Sequence, residues 1–175
     1  KQLVWLWVIR EGAPIAYVIP QAPPVNDGAF VAMPQRQIVA WGSTFTGVQD
    51  PLLIRWCDVN NFNVWIGTVI NQAGSYRLPR GSRIVGGLQG PQQALIWTDL
   101  AIWSMQYIGF PLVWSFTEIG ENCGLIGQKA VTVVGTIPYW MSDHGFFRMG
   151  AGGVDQIPCS VWDYVFKDLD EDNQD

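Results

Sequence analysis

The stretch "RWCDVNNFNVW" at residues 55–65 reads as the end of a strand, a polar turn and the start of another strand. A close variant returns as "IWTDLAIWSMQY" at 96–107, and a looser one as "YWMSDHGFFRM" at 139–149. Trp56 and Trp97 stand 41 residues apart, and Trp97 and Trp140 stand 43 apart. Two or three residues after each Trp comes an acid: Asp58, Asp99 or Asp143. A Gly-ended β run precedes each Trp: "IVAWG" at 38–42, "IVGG" at 84–87 and "TVVG" at 132–135. An aromatic run follows each. The repeating unit is therefore strand, turn, Trp-bearing strand, tight turn, strand. A period in the low forties is that of one four-stranded propeller blade. The spacing predicts an all-β chain of antiparallel, propeller-like blades. About four fit in the 175 residues, as part of a larger propeller. The alternative is one large β-sandwich with no repeat behind the Trp spacing.

In the blade reading, Trp56, Trp97 and Trp140 are equivalent repeat positions, buried between neighbouring sheets. Asp58, Asp99 and Asp143 are the matching turn positions, where a carboxylate accepts from backbone N–H groups.

The rest of the chain fits the same class. "QLVWLWVI" at 2–9 and "IAYVI" at 15–19 flank a Gly/Pro turn, which is a hairpin pattern. Further strand-like runs are expected at 29–33, 37–41, 52–57, 62–66, 83–88, 94–98, 100–108, 111–117, 130–137 and 145–149. No long stretch carries a period of 3.6. The end of the chain differs, so residues 1–159 are read as the β domain and 160–175 as a short helix with an acidic tail. In "SVWDYVFKDL", Ser160 and Asp163 resemble a helix cap, and Val161, Tyr164, Val165 and Leu169 form one apolar side. The closing "DLDEDNQD" has little to bury. Lys1 opens in mid-strand pattern, as in an excised piece of something longer.

Composition narrows function. Hydrophobic residues make up 49% and charged residues 14%, enough apolar material for a packed core. Ten Trp and eight Phe exceed what a small core hides easily, so some are available to a partner. The net charge of −5 argues against a non-specific grip on nucleic acid. Arg77, Arg80 and Arg83, the nearest thing to a basic cluster, read as solvated loop charges. Cys57, Cys123 and Cys159 form no C-x-x-C pair, which fits reduced thiols. No apolar run reaches 18 residues, so no membrane anchor is expected.

Candidate chemistry is sparse. His144, the one histidine, sits in a turn pattern with no ligand spacing around it. Neither a nucleophile elbow nor a phosphate-cradling loop occurs, and "GSRIVGGLQG" has no helix after it. No cofactor or metal is expected. The alternative function is a carbohydrate-binding or glycan-cleaving β-propeller: two carboxylates could hydrolyse glycosides, and Asp58, Asp99, Asp143, Glu118 and Glu121 are the candidates. The repetition of the first three favours a turn role instead. "SDHGFF" is a poor match to the sialidase turn, with Met141 and Arg148 at key places. Cys123, in "GENCGLIG", reads as an inert small residue.

The run "ALIWTDLAIWSMQYIGFPLVWSFTEIGENCGLIG" at 94–127, then "YWMSDHGFF" and "VDQIPCSVWDYVFKDLD", resembles structural proteins of tailed bacteriophages. The type is that of packaged-DNA stabilisation or tail-hub proteins. The shared motifs, in order, are W-T-D, Y-I-G-x-P, E-x-G-x-x-C-G, Y-W-M with G-F-F, and I-P-C-x-V-x-D-Y-V-F-x-D-L. They span residues 94–170, and one departure is Phe110 before Pro111. The resemblance implies a non-catalytic, propeller-like virion subunit that joins head to tail. Its partners would be copies of itself in a ring, the portal and other tail proteins. DNA would pass nearby without sequence-specific binding. The protein would sit in the tail or neck after assembly in the host bacterial cytoplasm.

Overall fold

The computed structural model describes residues 5–8, 15–90 and 93–167. The described residues are mostly β, in antiparallel sheets, with one short helix among them near the C-terminus. It groups into two compact units. The first comprises Lys1–Pro79 with Ile108–Val113, and the second Arg80–Tyr107 with Trp114–Asp175.

In the first unit, β1 (Trp5–Val8) pairs with β2 (Ile15–Val18), the hairpin expected from the sequence. β3 (Gly28–Ala32), β4 (Gln37–Trp41), β7 (Leu53–Trp56) and β8 (Gly74–Arg77) form a four-stranded sheet in that order. Between its middle strands the chain inserts a small hairpin, β5 (Thr44–Phe45) with β6 (Val48–Gln49). Thr46 (φ 51°) and Gly47 (φ 86°) make its two-residue turn, the left-handed geometry that matches strand twist. Trp41 pairs across the ladder with Gly28, and Trp56 with Gly74. Each indole lies where its partner's Cβ would stand, so these glycines make room for flat rings. Ala40, Cys57 and Trp65 form a buried cluster on the other face.

Apart from the Ile108–Val113 turn, which groups with the first unit, the second unit holds two four-stranded meanders. One runs β9 (Ile84–Gln89), β10 (Ala94–Thr98), β11 (Ala101–Gly109) and β12 (Val113–Glu121). The other runs β13 (Val131–Val134), β14 (Ile137–Ser142), β15 (Gly145–Gly150) and β16 (Gly153–Ile157). Their facing sides enclose Val85, Leu95, Trp97, Ile102, Cys123, Leu125, Trp140 and Phe147. Trp97 meets Trp140 edge-on at 5.5 Å, and Trp140 stacks on Phe147 at 5.9 Å. Such aromatic contacts add about 0.5–1.5 kcal/mol each beyond the area they bury.

Several expectations need correction. Three four-stranded sheets lie among the described residues, against about four expected. Residues 62–66 are loop, because the chain turns back at Asp58–Asn61 and buries Trp65 on the sheet face. The fourth strand is instead β8, an exposed edge that carries no apolar alternation. The run 130–137 splits into β13 and the start of β14 at the Gly135 turn (φ 65°). The helix α1 covers Trp162–Lys167, so Ser160 stands ahead of it, and Asp163 pairs with Lys167 at 3.4 Å. Of the expected apolar side, Val161 and Tyr164 are exposed and Val165 is half-buried, while the ring contact within the helix is Trp162 with Phe166. Phe166 meets Phe146 of β15 at 5.5 Å. Leu169 and the acidic tail lie outside the described residues.

Candidate functional site

Trp56, Trp97 and Trp140 are all buried. Trp97 and Trp140 both lie on the second strand of a meander, β10 and β14. Trp56 ends the third strand of its sheet, β7. Trp97 and Trp140 therefore share a strand position that Trp56 does not. The second-strand counterpart in the first sheet is Trp41. The inserted β5–β6 hairpin lengthens that sheet and shifts the count.

The three repeat acids are engaged in turns. Asp58 Oδ1 accepts from the Gln72 N–H at 2.8 Å, and the Asp58 N–H donates to Val64 O at 2.8 Å. Both bonds close the long loop between β7 and β8. Asp99 follows β10; its carboxylate accepts from the Ser82 N–H at 2.9 Å and from the Ser82 hydroxyl. Asp143 Oδ1 accepts from Ser142 Oγ at 2.8 Å at the β14–β15 turn, 3.5 Å from His144 Nδ1. Ser142, Asp143 and His144 are consecutive, and the Ser142 hydroxyl gives its proton to Asp143 rather than to the imidazole. Ser142 is fully buried, so its oxygen does not face a substrate.

Glu118 and Glu121 come together on one cation. Arg80 Nη1 lies 2.9 Å from Glu118 and 3.2 Å from Glu121. The hydrogen bond to Glu121 and the charge of Glu118 raise the guanidinium pKa. Arg77 pairs with Asp50 at 2.7 Å, so two of the three clustered arginines are spent on surface ion pairs.

Two of the three thiols are buried, Cys57 and Cys123. Burial pushes both pKa values up to about 11. Cys57 Sγ accepts from the Ile38 N–H at 3.0 Å, a packing role. Among the described residues, no three His, Cys, Asp or Glu side chains gather as a metal site. No helix among them is long and apolar enough to cross a membrane.

What remains is surface. The second unit has an open groove of about 460 Å³ lined by Leu88, Leu95, Val133, Ile137 and Met149, with no ionisable side chain in its wall. The first unit has a feature that sequence reading missed. Arg55 is buried, and its guanidinium donates to Thr44 O at 3.0 Å and to Trp65 O at 3.1 Å. Phe45 covers it, 5.4 Å from the ring centre. Burial lowers the Arg55 pKa. The sequence signal was a lone Arg inside an otherwise apolar strand. No family model matches the chain, and no curated protein matches it.

Proposed function

We propose that the chain is a non-catalytic virion structural protein, a propeller-like subunit of the head-to-tail hub of a tailed bacteriophage. In this reading each four-stranded meander is a blade. The subunit meets copies of itself in a ring, the portal above and other tail proteins below. It extends or plugs the DNA exit channel and stabilises packaged DNA, and it reaches the virion neck from the host cytoplasm. The observation that carries the reading is the packing of Trp97 of one meander on Trp140 of the next. That is the blade-to-blade contact such a subunit needs, and it lies within residues 94–170, where the motif resemblance runs. The net charge of −5 suits a channel wall that DNA slides past.

Negative-stain electron microscopy of the chain mixed with assembled portal rings tests this. A symmetric extension of the portal is the expected result. Portals that stay bare, together with glycan hydrolysis that Glu118→Gln or Asp99→Asn abolishes, would replace the reading with a glycosidase.

A further inference from the structure

Two exposed loops of the first unit start from one buried cation. Arg55 holds the carbonyls of Thr44 and Trp65. The residues that follow them, Phe45 and Ile66, are exposed. Beyond Phe45 the hairpin turn leads to Val48, 69% exposed. Beyond Ile66 the loop leads to Val69 and Ile70, 86% and 91% exposed. Five large apolar side chains thus stand on two loops fastened at a single guanidinium.

The second loop has a defined shape. Asn71 Nδ2 donates to Ile66 O at 2.9 Å, and Asn71 Oδ1 accepts from the Thr68 N–H at 3.0 Å. One side chain therefore staples both ends of a loop whose tip is Val69 and Ile70. A tip ordered before binding loses little entropy when it docks.

We propose that these two loops are a docking surface for a second copy of this chain. Charge decides the occupant. Residues 42–49 and 59–76 contain no Lys, Arg, Asp or Glu. Two chains of net charge −5 repel, so a copy approaches most readily where neither sign is exposed. Interface cores are depleted of charge, and in these segments the polarity comes from uncharged amides, Asn60, Asn61, Asn63, Asn71 and Gln49. An anionic bilayer would need basic residues around the tip, and these segments have none. The inference rests on the ring-subunit reading and names the face that the ring would use. Arg55 is the positioning residue, since its planar fork sends Nη1 to one carbonyl and Nη2 to the other, a fixed geometry that the compact ammonium of a lysine on its flexible stem lacks.

Sedimentation equilibrium of the whole chain tests the face. Wild type is expected to associate reversibly with concentration. Ile70→Asp and Phe45→Asp are expected to weaken association at least about tenfold, while Val134→Asp in the second unit leaves it unchanged. Arg55→Lys is expected to weaken it too, with faster amide exchange confined to residues 44–48 and 65–71. If Val134→Asp dissolves the assembly and Ile70→Asp does not, the face is wrong and the ring-subunit reading stands. If wild type stays monomeric to its solubility limit, the face is again wrong, and the portal experiment decides the reading separately. A monomer whose Ile70 is instead protected by zwitterionic phosphatidylcholine vesicles would overturn the proposal in favour of a lipid surface.

Discussion

Cys57 and Cys123 stay protonated because burial strips the thiolate of water, which holds both near a pKa of about 11 against an ordinary 9.0. The folded state therefore keeps these protons longer than the unfolded chain does. Stability is independent of these groups below pH 9 and falls as pH rises from 9 towards 11. Denaturant melts from pH 7 to 11 check this, and Cys57→Ala is expected to flatten part of the alkaline slope. In native protein at neutral pH, iodoacetamide is expected to label Cys159, which is half-buried, well before the other two. Three equal labelling rates would sink the burial argument. Asp99 is the second residue-scale case. Asp99→Ala removes an acceptor from both the N–H and the hydroxyl of Ser82 and is expected to cost about 1 kcal/mol. Gly124→Ala is a steric counterpart. Its Cβ would run into the Asp99 backbone, and rigid backbone cannot yield as a side-chain tip can, so the expected cost is about 1–3 kcal/mol.

At the scale of elements, the meanders of the second unit are joined by Trp97 and Trp140. Trp97 is fully buried, and Trp97→Ala is expected to cost about 3–5 kcal/mol by denaturant titration. A loss below about 1 kcal/mol would mean that the two sheets do not depend on that contact. This part of the fold was legible because a buried Trp, a following turn acid and a Gly-ended neighbour strand all repeat at one period. The first sheet was harder to read for two physical reasons. Its edge strand, Gly74–Arg77, is exposed on three of four residues, so no core face imposed an apolar alternation. Meanwhile "FNVWI" carries aromatic and β-branched residues because Trp65 folds back onto the sheet, not because the segment pairs as a strand. Tertiary burial of a loop imitates a strand signal. The helix shows the same effect in small: Phe166 packs on Trp162, four residues before it, and on Phe146, while Val161 and Tyr164, which a wheel would choose, are exposed.

For the whole molecule, the proposed docking face was not legible, because an exposed apolar loop has no periodicity and its clamp, Arg55, lies ten residues from one anchor and eleven from the other. Its electrostatics nevertheless make a prediction that spans the entire chain. Each copy carries −5 overall, yet residues 42–49 and 59–76 contain no charged side chain. Association through them pits an apolar contact, largely indifferent to salt, against long-range repulsion between the bodies. The Debye length falls from about 30 Å at 0.01 M to about 10 Å at 0.1 M and about 3 Å at 1 M, so salt removes the repulsion and leaves the contact. Self-association is therefore expected to strengthen as sodium chloride is raised over that range, with Ile70→Asp losing most of the effect. The alternative is assembly through ion pairs at Arg77, Arg80 or Arg148, each of which has an acid beside it within one chain. Copies could exchange those partners, and salt would then weaken association. Sedimentation equilibrium at the two ends of the salt range separates the cases by sign: strengthening supports the uncharged face, and weakening rules it out.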